Sequence, residues 1–395
     1  MYLTAIQAPR RAERIGIVPL PLDHPQAARS PVLAVIIPTL NERDNVGPLF
    51  DALCATLADR AWEAVFVDDG STDGTAEALE GMAARHPNLR LIRRFGRRGL
   101  SSAILEGMMA TVAPVVAVID ADMQHDEAIL PALADAVLAG EADVAVGTRY
   151  AGDGSTGEWS ASRVKVSAVG TRLAGLVSRT ACSDPLSGFF AIRRAAVLDA
   201  MPNLSTVGFK ILLDLLASSP RPLRVAEVPY RFRCRLAGES KLDSMVAVEY
   251  LMLLVDKLIG RWIPPRLVLF AAVGLSGLAV NLLVLGLLLA SGLAFQGAQV
   301  AAVLVSIVSN FALNNMLTYR DRRLGGTAWL AGLASFVAIC GVGAAGQVGV
   351  ASFLFADHQR WWVAAVAGAM IGMTWNYTVS AFFTWKGADR RAVAA

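Results

Sequence analysis

LAVIIPTLNERDN, Leu33 to Asn45, runs a short Val/Ile-rich segment into a proline, a threonine and then a charged stretch with helical composition. A run of that length and content reads as a buried strand, and the charged stretch reads as the start of a helix. The same unit recurs as EAVFVDD (Glu63 to Asp69), LRLIRR (Leu89 to Arg94), VVAVID (Val115 to Asp120) and DVAVGTR (Asp143 to Arg149), with segments of helical length between most of them. Strands alternating with helices predict a mainly parallel sheet covered on both faces, a doubly wound, Rossmann-like α/β domain over residues 31–242. No glycine occurs from Pro38 to Asn45, so the dinucleotide fingerprint is absent where an oxidoreductase would need it. The match at Gly341, Gly343 and Gly346 lies in an apolar segment of membrane-spanning length, where small residues serve helix packing.

In such sheets ligands sit beyond the carboxyl ends of the strands. The residues there are PTLNERDN, DDGSTDGT, DADMQHDE and TRY, so acids, amides and hydroxyls converge on one edge. Some of these cap helices, as Asp73 and Asp126 would, but three acidic clusters at one edge exceed what capping requires. If the extended form persists through DADMQ, Asp120, Asp122 and Gln124 point to one side and offer hard oxygen ligands to Mg²⁺ or Mn²⁺. A divalent ion so held would neutralise a leaving diphosphate. His125, alone beside them, reads mainly as a local hydrogen-bonding group.

The composition sets the second half apart. A chain of 395 residues with 55% hydrophobic residues, 17% charged residues and a mean hydropathy of +0.49 is too apolar to be wholly soluble. The excess is concentrated after Arg266, in four predicted spans at 267–290, 297–319, 328–355 and 361–385 within a membrane domain at 265–388. Residues 243–264 read as a juxtamembrane amphipathic helix lying at the interface, residues 1–30 as a disordered leader without a signal-type apolar core, and 389–395 as a tail. Arg261, Arg266, Arg320, Arg322, Arg323, Lys386, Arg390 and Arg391 fall on one side of the spans, which predicts an inner-membrane protein with the catalytic domain and both termini cytoplasmic. Cys54, Cys182, Cys234 and Cys340 form no CxxC, so neither a zinc site nor a disulfide framework is suggested. A net charge of +3 with no basic, aromatic-studded stripe excludes nucleic acid as the expected partner.

SNFALNNMLTYR (Ser309 to Arg320) and WNYTVSAFFTWK (Trp375 to Lys386) align without a gap, pairing Asn310 with Asn376 and Tyr319 with Trp385. This is an internal repeat of a two-helix unit. Asn310, Asn314, Asn315 and Asn376 need partners in hydrocarbon, either across helices or along a path for a lipid headgroup.

The ordered segments VIIPTLNERDNV, VFVDDGSTDGT, GLSSAILEGM, VIDADMQHDE, GTRY, DPLSGFFAIRR, GFKILLDLL and VPYRFRCRLAGESKL resemble a family 2 glycosyltransferase of the dolichol-phosphate mannose synthase type. The membrane half resembles the GtrA-like four-helix domains. The resemblance implies a GT-A fold that transfers mannose from GDP-mannose, with inversion, to a polyprenyl (dolichyl-type) phosphate. Carried onto this chain, it implies donor contacts at Pro38, Thr39, Glu42, Asp69, Asp120, Lys210, Arg235 and Lys241, with Ser240 beside them, and a metal at Asp120, Asp122 and Gln124. It implies lipid-phosphate contacts at Arg149, Arg163 and Ser167, with Asp122, Arg149 and Asp184 as the catalytic group and Asp184 positioning rather than deprotonating. Planar guanidinium forks suit phosphate. UDP-glucose with undecaprenyl phosphate is the competing substrate pair, and glycolipid transport or scaffolding by the membrane half the competing role. A processive synthase is disfavoured because Gln359, Arg360 and Trp361 are contiguous and form no QxxRW. Mg²⁺ or Mn²⁺, prenyl chain length and a homo-oligomer remain open.

Overall fold

The structure is a computed structural model and describes residues 30–96, 99–157, 161–205, 210–233, 244–260, 262–357 and 360–385. The seven strands are β1 (Leu33–Thr39), β2 (Trp62–Asp68), β3 (Leu89–Arg93), β4 (Val115–Val118), β5 (Val144–Thr148), β6 (Phe190–Arg193) and β7 (Val225–Pro229). They form one sheet in the order β3-β2-β1-β4-β6-β5-β7. β6 runs antiparallel to β4 and β5, and the other pairings are parallel. The first five strands are those expected from apolar periodicity. β6 and β7 escaped it because FAIR is short and VAEVP is only half-buried, with a glutamate at its centre.

The helices of this half are α1 (Arg43–Thr56), α2 (Thr75–Ala83), α3 (Leu100–Met109), α4 (Leu130–Leu138), α5 (Ala161–Ala174), α6 (Arg194–Ala200) and α7 (Ile211–Ser218). Alternation along β1 divides them between two layers. Leu33, Val35 and Ile37 pack with Leu49, Phe50, Leu79 and Leu133 of α1, α2 and α4. Ala34 and Ile36 pack with Ile104, Met108, Val197 and Leu215 of α3, α6 and α7. Apolar burial on both faces accounts for the near-continuous apolar strands. At the end of the sheet away from the acidic loops, buried Asp143 meets Arg193, Arg221 and Arg224, at 3.3, 3.1 and 3.3 Å, and so ties together the segments beside β5, β6 and β7.

The next helix, α8 (Ser244–Ile259), departs from expectation. It does not simply lie in the membrane interface, because one of its faces is docked on the catalytic domain. Leu253 and Leu254 pack with Ala174 of α5 and Leu213 of α7, and the Tyr250 hydroxyl donates to Gly170 O at 2.6 Å. Lys257 Nζ reaches Asp214 Oδ1 at 2.6 Å, both side chains being buried. Leu251 and Leu258 remain exposed on the helix, so it keeps an apolar face for lipid.

The membrane half contains α9 (Pro265–Ala290), α10 (Phe295–Leu313), α11 (Thr327–Ala356) and α12 (Trp361–Phe383), and α10 runs on through a π-helical turn at Asn314–Thr318. α9, α11 and α10 with its extension are long and apolar enough to cross a membrane. The 23 residues of α12 extend roughly 35 Å at helical rise. The register that sets Asn310 against Asn376 also sets Phe270 against Phe336 and Gly277 against Gly343. The packing obeys the same relation. Phe270 meets Tyr377 at 5.6 Å, and the exchanged pair Phe311 and Phe336 meets at 5.7 Å. Tyr319 and Trp385, which exchange with each other, stack at 4.0 Å with ring planes 9° apart. The two hairpins are therefore related by a pseudo-twofold passing between those rings.

Within each hairpin an asparagine of the second helix seats on a glycine of the first. A Cβ at Gly277 would fall inside the Asn310 amide, and one at Gly343 inside that of Asn376. Asn314 and Asn315 bond within the bundle: Asn314 Oδ1 accepts from Thr318 Oγ1 at 2.7 Å, and Asn315 Oδ1 accepts from Trp385 Nε1 at 3.1 Å. Gly277→Ala and Gly343→Ala are each predicted to destabilise the membrane domain by about 1–3 kcal/mol through overpacking. Thermal unfolding in detergent checks this, and an unchanged transition in both variants would show that the crossings are loose.

Candidate active site

The loops after β1 and β2 form one wall. Asp69 N donates to Thr39 O at 2.9 Å, Glu42 N to Thr75 Oγ1 at 2.9 Å, and Asn45 Nδ2 to Glu42 Oε2 at 2.7 Å. Asn41 adopts φ 53°, a left-handed conformation that asparagine tolerates, and its side chain accepts from Thr72 N at 2.9 Å. Thr39 and Glu42, next to Pro38, are thus held to the β2 loop by hydrogen bonds at the switch point where β1 lies between β2 and β4. Asp69 is gripped by Arg94, and Gly99 N donates to its Oδ2 at 2.7 Å. Arg94 is buried and also reaches Glu106 and Ser102, which makes it the anchor of this wall. Arg94 was not among the residues expected here, although its place at the end of β3 was a usable signal.

The DADMQ segment is a turn. β4 ends at Val118 and Met123 takes φ 62°, so strand alternation does not carry through to Gln124. This corrects the geometry expected from an extended segment. Asp122 is 8% exposed and accepts from Gln124 N at 3.2 Å, while Gln124 Nε2 donates to Arg233 O at 3.2 Å. Asp126 caps the short helix Glu127–Ile129 by accepting from Ala128 N, as its position suggested.

His125 does more than local bonding. In the Nε2–H tautomer its buried ring donates to Asp120 Oδ2 at 3.2 Å and accepts from the Tyr230 hydroxyl at 2.7 Å. Phe189 and Phe232 pack against the same ring at 5.1 and 5.5 Å. Burial opposes ionisation of Asp120, but the His125 hydrogen bond and the charges of Lys210 and Arg149 outweigh it and hold the carboxyl below its usual range. Burial also pushes the Tyr230 phenol well above its ordinary value, so it stays a hydroxyl. A Cβ at Gly188 would lie 2.9 Å from Asp120 Oδ2, so any side chain there would push the carboxylate from its place.

Arg149, just past β5, meets Asp184 bidentately, Nε to Oδ2 at 2.7 Å and Nη2 to Oδ1 at 2.9 Å. Burial would lower the Arg149 pKa, yet the hydrogen bond and charge of Asp184 raise it. The guanidinium also lies over the rings of Tyr150 and Phe232, at 5.6 and 5.5 Å. A phosphate meeting Arg149 would therefore share it with Asp184. Tyr150 connects this group to α5, its hydroxyl lying 2.7 Å from Ser167 Oγ. Lys210 Nζ donates to Leu186 O at 2.9 Å, and its charge acts on Asp120.

The structure thus gathers Asp120, Asp122, Arg149, Asp184 and Lys210 near one sheet edge and connects Ser167 to it through Tyr150. Arg163 lies one turn before Ser167 on α5. Arg235, Ser240 and Lys241 fall outside the described residues. Two carboxylates and an amide supply hard oxygens suited to a divalent cation. Among the described residues no three His, Cys, Asp or Glu side chains are grouped to hold an ion alone, so such an ion would need substrate oxygens as well.

An α/β sheet with this acid- and arginine-lined edge, joined to apolar helices, defines a membrane-associated group transferase. Residues 34–199 match the family described as Glycosyl transferase family 2, and residues 269–385 match the GtrA/DPMS transmembrane domain. The dolichol-phosphate mannosyltransferase of Pyrococcus furiosus is 36% identical over 296 residues, 74% of this chain and 82% of that protein. That of Saccharomyces cerevisiae is 35% identical over 246 residues, 60% of this chain and 91% of that protein. Among solved structures, glucosyl-3-phosphoglycerate synthase from Mycobacterium tuberculosis with phosphoglyceric acid aligns at a TM-score of 0.42 and 22% identity, over 57% of this chain and 80% of that one. The chain belongs to the dolichol-phosphate mannosyltransferase family of family 2 glycosyltransferases, and it is an enzyme of that class.

Gly188→Ala is predicted to displace the Asp120 carboxylate and to lower transferase activity roughly tenfold or more without unfolding the domain. Steady-state kinetics and circular dichroism of the variant check it, and unimpaired activity would show that Asp120 has room to move.

Proposed function

We propose that the protein transfers mannose from GDP-mannose to a polyprenyl (dolichyl-type) phosphate, with inversion, at the cytoplasmic face of the inner membrane. The observation that carries this reading is the juxtaposition of the Asp120–His125–Tyr230 chain with the Arg149–Asp184 pair, in a chain 36% identical to a dolichol-phosphate mannosyltransferase. One group suits the diphosphate of a nucleotide sugar and the other an incoming phosphate.

In this reading Pro38, Thr39, Glu42 and Asp69 line the nucleoside side, held by the bonds between the β1 and β2 loops. Asp120, Asp122 and Gln124 hold Mg²⁺ or Mn²⁺ together with donor phosphate oxygens. Such an ion, when bound, neutralises charge on the departing diphosphate. Lys210, Arg235 and Lys241 add positive charge to that side. Arg149 and Arg163, with Ser167, orient the lipid phosphate so that one of its oxygens attacks the anomeric carbon from the face opposite the leaving group. A bond forms from that oxygen to the anomeric carbon as the bond to GDP breaks, which inverts the centre. A lipid phosphate is already ionised near neutral pH, so no strong base is required. Asp184, with both oxygens turned to Arg149, acts by fixing the guanidinium.

The arginines at one end of the spans support the cytoplasmic placement. Arg266, Arg320, Arg322 and Arg323 lie on the side that carries the catalytic domain, where Arg320 pairs with Glu249 of α8. Nucleotide sugars are made on that side.

Purified protein with polyprenyl phosphate and a panel of labelled nucleotide sugars should yield labelled lipid from GDP-mannose, and preference for UDP-glucose would replace the donor. Asp122→Ala and chelation should each remove most activity, whereas full activity in chelator would refute the metal assignment. Arg149→Ala should raise the apparent KM for lipid phosphate far more than that for GDP-mannose. Equal changes in both would move Arg149 to the donor side.

A further inference from the structure

The membrane domain carries a cavity of its own, about 550 Å³ in volume, where α10 ends and α11 begins. Ala312, Met316, Leu324 and Trp329 give it apolar walls, and Asn315 and Arg323 are its polar side chains. Asn315 is engaged by the fold: its Nδ2 donates to Leu324 O at 3.0 Å, and its Oδ1 accepts from Leu324 N at 2.8 Å and from Trp385 Nε1. Arg323 differs from its neighbours. Arg320 pairs with Glu249 and Arg322 lies 3.8 Å from Asp321, but the Arg323 guanidinium has no ion pair or side-chain hydrogen bond among the described residues.

Arg323 is exposed at the end of the span, at the level of the headgroups, so its guanidinium is open to an anion from outside the chain. The surroundings indicate what kind. Leu304, Val308, Ala312 and Met316 succeed one another at helical spacing on α10, and Leu304, Val308 and Met316 are 53, 41 and 48% exposed. In a bilayer that stripe faces acyl chains, and it leads directly to the cavity wall. An occupant therefore needs an anionic head and an apolar tail. One cation matches one negative charge, which is the charge of a phosphodiester rather than of a phosphomonoester dianion. Trp329 adds an amphipathic ring at the level where head and tail meet.

We propose that this cavity is a lipid-phosphodiester site, in which Arg323 binds the phosphate and the α10 stripe receives the chain. Bilayer phospholipid and the glycosylated polyprenyl phosphodiester share this chemistry. Only the second source rests on the proposed function, and binding to the site requires no turnover.

Native mass spectrometry of the full-length protein in detergent tests the site, with phosphatidylglycerol as the probe. One retained adduct is expected, reduced about tenfold or more in Arg323→Ala, as loss of a charge-assisted bond implies, and unchanged in Arg322→Ala. Diacylglycerol should form no such adduct, and inorganic phosphate should not displace it. Displacement by polyprenyl-phosphate mannose would assign the site to the product, and persistence of phosphatidylglycerol would assign it to bilayer lipid. Either result supports the proposal. Equal adducts in wild type and Arg323→Ala, equal loss in Arg322→Ala, or competition by inorganic phosphate would overturn it.

Discussion

The buried pair between Arg149 and Asp184 is the constraint around which the catalytic half is arranged. With side chains 10% and 1% exposed, removing either member leaves the other charge buried and unpaired at a cost of about 3–5 kcal/mol. The pair joins the end of β5 to the turn before β6, and that turn also supplies Gly188 beneath Asp120 and the Leu186 carbonyl that accepts from Lys210. Through Tyr150 it extends to Ser167 on α5. A single bidentate contact thus sets the spacing between the acidic turn and the helix that carries Arg163.

Aromatic packing gives the acidic turn its other support. Met123 in a left-handed conformation is the kind of backbone strain that persists only when the surroundings hold it in place. Here the His125 ring, set among Phe189, Tyr230 and Phe232, provides that hold and fixes Asp120 at the same time. The antiparallel β6 and the late strand β7 matter for this reason: Phe189 immediately precedes β6, and Tyr230 immediately follows β7. A sheet made only of the five obvious strands would leave His125 without its aromatic surround.

The two halves are coupled through α8. Its buried Lys257–Asp214 pair and the Tyr250 bond to Gly170 tie it to α7 and α5, and Glu249 meets Arg320 just beyond the π-helical turn of α10. α5 and α7 are therefore braced through α8 against the membrane domain. Inside that domain the pseudo-twofold leaves its signature in the Tyr319–Trp385 stack, and Arg323 with the cavity beside it is where a specific function can reside.

Much of this was legible in the residues taken one after another. Apolar runs of fixed length, ending in DDG, DAD and TRY, specify strands and a polar edge, because backbone periodicity and burial act locally. Spans of bilayer length and the flanking arginines specify a membrane half for the same reason. The Asn310/Asn376 alignment exposed the repeat, but its glycine partners became evident only once Gly277 and Gly343 were seen beneath the amides. Arg94 on Asp69, His125 between Asp120 and Tyr230, and the docking of α8 join residues far apart in the chain. Local pattern carries no information about which distant partner will neutralise a charge or fill a gap. The amino-acid sequence by itself determined the elements and the chemistry available at their ends, and the tertiary structure alone decided which of those groups share a charge, a ring or a hydrogen bond.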